Sequence, residues 1–101
     1  MPNTWVIVLG YAPQTLDMDV GDNLIIVACS PYRFCVTSNN SNNFTPALPN
    51  GKDFQAGEVW PPDGAVSVAT TAGTISWDHQ NSGTECASAK LEGGGHTIVV
   101  S

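Results

Sequence analysis

The chain has 101 residues and a mass of 10.6 kDa, which leaves room for a single domain spanning 1–101 and excludes a second independent module. Hydrophobic residues make up 42% and charged ones only 12%, a balance that excludes both an intrinsically disordered chain and a coiled coil. Nine acidic residues against three basic ones (Arg33, Lys52 and Lys90) give a net charge of −6, which excludes nucleic acid and anionic membrane surfaces as partners because both demand clustered Lys and Arg.

Strand signals dominate in chain order. Trp5 to Leu9 is a short β-branched run closed by Gly10 and Pro13, and it reads as a strand buried on both faces. Gln14 to Val20 alternates, with Leu16, Met18 and Val20 on one face and Thr15, Asp17 and Asp19 on the other, as a half-buried strand does. After the turn at Gly21-Asp22-Asn23, Leu24 to Cys29 is the most hydrophobic stretch and is expected to be central. Pro31 suits a type I turn, and Phe34 to Thr37 resumes as a strand. Residues 38–57 are rich in Asn, Ser, Pro and Gly, with Phe44, Leu48 and Phe54 as apolar anchors, and read as one long surface connection.

Further strands are expected at Glu58 to Trp60, Ala65 to Thr70, Gly73 to Asp78 and His96 to Ser101. No segment carries an apolar period of 3.6 long enough for a helix, although Ala87 to Glu92 fits a single helical turn. Seven or eight short strands with one long irregular connection predict an all-β fold, a Greek-key β-sandwich. No apolar run reaches the ~20 residues of a membrane span, and Met1-Pro2-Asn3-Thr4 lacks the basic start of a signal peptide. Scarce Lys with abundant Thr, Ser, Asn and Gly favours a periplasmic or secreted protein over a cytoplasmic one.

Three stretches resemble the cupredoxins, the small Greek-key sandwiches of the blue copper proteins. Gly21 through Val36 is similar to that family's third strand, its turn and the start of the fourth. Gly73-Thr74-Ile75-Ser76-Trp77-Asp78-His79 is similar to the run leading into the family's copper-binding cysteine, and His96-Thr97-Ile98-Val99-Val100 to its closing strand. Phe44, Leu48, Gly57 and Trp60 also fall where the family's long connection has comparable residues. The resemblance implies a cupredoxin-like topology.

The copper ligands of that family are not matched. Phe34 and Cys35 stand where its first His would be, His79 stands at its Cys, and no Met follows Met18. A standard blue copper centre of two His, one Cys and an axial Met is therefore not expected. Under the resemblance His79, Cys86 and His96 gather at one end of the sandwich, where two imidazoles and a thiolate would suit copper or zinc, with Asp78 or Glu85 as a fourth ligand. The plainer alternative makes His79 and His96 loop-edge residues and Cys86 bridged or buried.

Three cysteines leave at least one unpaired within a monomer. Cys29 and Cys35 flank a short turn and could face each other across a hairpin. The other pairing joins Cys86 to Cys35 or Cys29, much as some plant cupredoxins fasten their ligand loop, and such a long loop closure would stabilise by roughly 4 kcal/mol.

Other constellations are weaker. Cys86 with His79 or His96 and Asp78 supplies the residue types of nucleophilic catalysis but no surrounding signature. Asp17, Asp19 and Asp22 lack calcium-loop spacing and read as a solvated acidic edge. Asn39-Asn40-Ser41 and Asn43-Phe44-Thr45 match glycosylation sequons. Trp5 and Trp77 sit within apolar strand patterns, so Trp60, before Pro61-Pro62, is the aromatic expected to be exposed for binding.

The sequence reading is thus a non-enzymatic binding or structural module with a cupredoxin-like fold, no cofactor, and a protein or small ligand as partner. Its alternatives are a copper-binding electron-transfer protein with the His79, Cys86 and His96 site, and a self-assembling coat or filament subunit, since few Lys guard its strand edges and homo-oligomers would follow.

Overall fold

A computed structural model describes residues 2–9, 15–28, 34–81 and 96–101. Ten strands form over these residues: β1 (Thr4–Val8), β2 (Thr15–Met18), β3 (Asn23–Val27), β4 (Phe34–Ser38), β5 (Phe44–Thr45), β6 (Lys52–Phe54), β7 (Val59–Trp60), β8 (Ser67–Ala69), β9 (Gly73–Asn81) and β10 (His96–Val100). Besides strands they contain one 3₁₀ turn, Ser41–Asn43, and no α-helix. The fold is all-β, as the alternating sequence patterns require. The one-turn helix expected at Ala87 to Glu92 lies outside the described residues.

Two five-stranded sheets pack face to face. The first runs β1-β3-β8-β5, with β7 also pairing with β3, and the second runs β2-β10-β9-β4-β6. β1 is parallel to β3 and β2 is parallel to β10, while the remaining pairs are antiparallel. The period of two in each strand sends alternate side chains inward. Ile7, Leu24, Ile26, Phe44 and Ala69 from the first sheet meet Met18, Val36, Phe54, Ile75, Trp77, Ile98 and Val100 from the second, all buried. Trp5, Leu16 and Trp60 close the margin of this core.

Three details differ from the sequence reading. β1 is an edge strand, buried on one face only: Ile7 is in the core, whereas Val6 is 51% exposed because outward-pointing positions of an edge strand have no covering layer. Residues 38–57 are more ordered than a bare connection. β5 pairs with β8 and β6 pairs with β4, because the anchors Phe44 and Phe54 are buried at 2% and 0% exposure and pull their flanks into register. Asp22 is not part of a solvated acidic edge. It is 4% exposed, and its carboxylate accepts hydrogen bonds from the backbone N–H groups of Asn3 and Asp19 and from Nε1–H of Trp5, each at 3.0 Å. Those donors hold Asp22 below the ordinary carboxylate range, the Asp19 N–H contributing most.

Asp22 sits where the chain passes from β2 in one sheet to β3 in the other. Around it, Gly21 N–H donates to Ala69 O at 2.8 Å, Ala69 N–H to Asp22 O at 2.9 Å and Val20 N–H to Ser101 O at 3.1 Å. This network fastens the two sheets at one pole of the sandwich.

Candidate functional site

The strand directions decide which connections share a pole. β1 and β3 are parallel, so Val8 and Val27 end at the same level. Thr15 and Thr97 begin β2 and its parallel partner β10 side by side. β9 is antiparallel to both β10 and β4, with His96 opposite Trp77 and Phe34 opposite Asn81. Every strand end that borders 10–14, 29–33 or 82–95 therefore lies at one pole, away from Asp22.

A fourth connection joins them. Phe34 is paired with Phe54 at the end of β6, so the turn Gln55-Ala56-Gly57-Glu58 belongs to the same pole. Its tip, Gln55 to Gly57, is exposed. Its base is held from two directions. Gly57 N–H donates to Ala28 O at 2.6 Å and Ala28 N–H donates to Glu58 O at 2.8 Å, tying the turn to the end of β3. Gln55 N–H donates to Glu58 Oε1 at 3.0 Å, and Lys52 Nζ lies 2.7 Å from Glu58 Oε2 and 5.0 Å from the Phe54 ring centroid. Partial burial pushes the Glu58 carboxyl up, but the bonds from Lys52 and Gln55 outweigh it and leave it below its usual value. Gly57, at φ +78°, takes the left-handed conformation that the tight turn needs. The result is an exposed loop tip on a rigid base, the usual build of a binding loop.

The residues singled out from sequence are distributed as follows. His79 stands opposite Val36 on β9, two positions beyond Trp77, and His96 stands opposite Trp77 on β10. Their backbone positions thus share the row of Ile75, Trp77 and Ile98 at the loop-bearing pole. Cys86 and Glu85 lie outside the described residues, as does Cys29. Among the described residues no group of three or more His, Cys, Asp or Glu is placed to hold a metal ion.

Cys35 is disulfide-bonded and fully buried; Cys29 and Cys86, between which sequence reasoning left the pairing open, are both outside the described residues. Trp60, expected to be exposed, is half buried: it pairs with Ile26 and packs on the core, because β7 carries it inward while Val59 points out. The 55–58 turn went unremarked in the sequence. Its only local signal is Ala56-Gly57 between an anchor, Phe54, and an apolar pair, Val59-Trp60.

No protein-family model matches this chain, and no curated protein matches it. In solved structures the chain is similar to the cysteine protease inhibitor EhICP2 from Entamoeba histolytica, with a TM-score of 0.51 over 100% of both chains at 12% sequence identity. Likeness at that identity is one of fold: both are small β-sandwich-like domains. Among the described residues, no helix is long and apolar enough to cross a membrane.

Proposed function

We propose that this chain is a non-enzymatic protein-binding domain that docks through its exposed 55–58 turn, and that its partner is a cysteine protease whose substrate cleft the turn enters. The observation that carries this reading is the 55–58 turn, an exposed tip whose base is tied to the end of β3 by Gly57 N–H to Ala28 O and Ala28 N–H to Glu58 O. A turn held on a rigid base can enter a concave partner without ordering itself first, which lowers the entropic cost of association. The likeness in fold to a cysteine protease inhibitor supports the choice of partner.

The mechanism is occlusion. Backbone groups and small side chains at the exposed Gln55-Ala56-Gly57 tip present hydrogen-bonding surface with little steric bulk, and a cleft that binds extended peptide has matching groups. No covalent step is required of the chain, so inhibition should be reversible and stoichiometric.

The test is an inhibition assay against papain, with trypsin as the control. Reversible loss of papain turnover at a one-to-one ratio, weakened at least about tenfold by Ala56→Arg and absent with trypsin, supports the reading. Full papain activity in excess protein, together with full activity of other cysteine proteases, overturns the assignment of partner. Equal inhibition by the wild type and the Ala56→Arg variant overturns the assignment of the 55–58 turn to the contact.

A further inference from the structure

The two glycosylation sequons, Asn39-Asn40-Ser41 and Asn43-Phe44-Thr45, stand in different surroundings. Asn39 follows β4 directly and is exposed. Its backbone N–H donates to Ser76 O at 2.9 Å and its Oδ1 accepts from Ser76 N–H at 2.8 Å, so the carboxamide is fastened to β9 through its oxygen. Among the described residues Nδ2 of Asn39 has no hydrogen-bond partner. Asn40, at φ +47°, turns the chain and donates from Nδ2 to Thr74 O at 3.0 Å, which fixes the middle of the sequon. Asn40, Thr74 and Ser76 are exposed and polar, a surface on which a sugar keeps its hydration.

Asn43 is placed otherwise. It is half buried, and its Nδ2 packs on the backbone of Gly73, 2.8 Å from where a Cβ on that glycine would stand. Its carbonyl accepts from Thr70 N–H at 2.8 Å, Thr70 Oγ1–H at 3.1 Å and Thr71 N–H at 3.3 Å. Phe44 is in the core, and Thr45 is paired with Val68 on β8. A substituent on Nδ2 of Asn43 would have to displace backbone.

We infer that Asn39, and not Asn43, is an acceptor for an N-linked glycan. The donor is an oligosaccharide carried on a lipid diphosphate. Nδ2 of Asn39 bonds to the anomeric carbon, the bond from that carbon to the diphosphate oxygen breaks, the lipid diphosphate leaves with the electron pair, and one Nδ2 proton is released. Oδ1 takes no part, so the bond from Ser76 survives in the product. Transfer of this kind precedes folding, and the fold then decides which adduct it can hold unchanged. Disulfides such as that of Cys35 persist in oxidising compartments, the setting in which the transfer occurs. Ser38, before Asn39, is the far end of β4 from Phe34, which is paired with Phe54 beside the 55–58 turn. A glycan on Asn39 therefore leaves that turn open.

The test secretes the whole chain from a yeast host behind a cleaved leader and weighs the folded product before and after treatment with peptide N-glycosidase F. The wild type should carry a single glycan, released with conversion of Asn39 to Asp. Asn39→Gln and Ser41→Ala should each abolish it, and Asn43→Gln should retain it. Ser41→Ala keeps the Asn39 side chain and its bond from Ser76, so loss in both variants reports the sequon rather than a folding defect, and circular dichroism establishes that each variant is folded. A secreted wild type without glycan, a glycan that persists in Asn39→Gln, or a glycan mapped to Asn43 in the folded product overturns the inference.

Discussion

Nε1–H of Trp5 donates to Oδ2 of Asp22 at 3.0 Å, joining the first strand to the turn where the chain changes sheets. The same carboxylate takes two backbone N–H groups, so one side chain satisfies donors from three separate positions. An amide cannot do this, because Asn offers one acceptor oxygen and turns two N–H groups toward donors.

Asp22→Asn should therefore lower the melting temperature at neutral pH, and its effect should depend on pH. The folded-state value of Asp22 is depressed, so its contribution is fully present above the ordinary Asp value near 4 and is lost as the pH falls through the lower folded value. Thermal melts from pH 7 to pH 2 should show the wild type and the variant converging at the acid end. Parallel curves with a constant gap would contradict this account.

Lys52 and Glu58 brace the 55–58 turn, but both are partly solvated, at 34% and 29% exposure. A double-mutant cycle with Lys52→Ala and Glu58→Gln should give a coupling of only about 0.2–1 kcal/mol in urea unfolding. The depressed Glu58 value gives this small term the same sign as for Asp22: present at neutral pH and lost in acid. A much larger coupling would mean that the pair does more than steady the loop.

Gly73 begins β9 at φ +153°, and a Cβ there would come 2.8 Å from Nδ2 of Asn43. Gly73→Ala should cost about 1–3 kcal/mol. The Asn43 amide is a side-chain terminus able to move, so the backbone conformation supplies most of the cost. Adding Asn43→Ala to Gly73→Ala should accordingly restore only a minor part of the lost stability, as read by chemical denaturation; full restoration would assign the cost to the clash.

The disulfide of Cys35 anchors a fully buried position on β4. Cys35→Ala should lower stability by about 2–4 kcal/mol. Non-reducing peptide mapping should find Cys35 joined to Cys29 or Cys86 and the remaining cysteine alkylated without prior reduction. Complete alkylation of Cys35 in the unreduced protein would remove the basis for the stability estimate.

Much of the architecture was legible because it depends on local alternation. Thr15 to Met18 and Gly73 to Trp77 each carry a period of two whose apolar half became core. The unbroken apolar run from Leu24 to Cys29 marked a central strand, and β3 lies inside its sheet. Less was legible where the deciding partner is distant. β5 and β6 are two and three residues long, too short for any periodicity, and exist because Phe44 and Phe54 are captured by β8 and β4.

By itself, then, the sequence determined that this is an acidic, all-β chain with strands near 5, 16, 25, 35, 75 and 98, since composition and alternation act over a few residues. Tertiary structure alone decided that β1 is an edge with valines facing outward, that Asp22 rather than Asp17 or Asp19 is buried, and that the 55–58 turn stands at the loop-bearing pole. Each of these depends on groups far apart in the chain: two of the three donors to Asp22 come from 19 and 17 residues away, and the turn is tied to Ala28. Local sequence does not encode which distant surface will arrive to cover a side chain, and it is that arrival that separates a core residue from a contact surface.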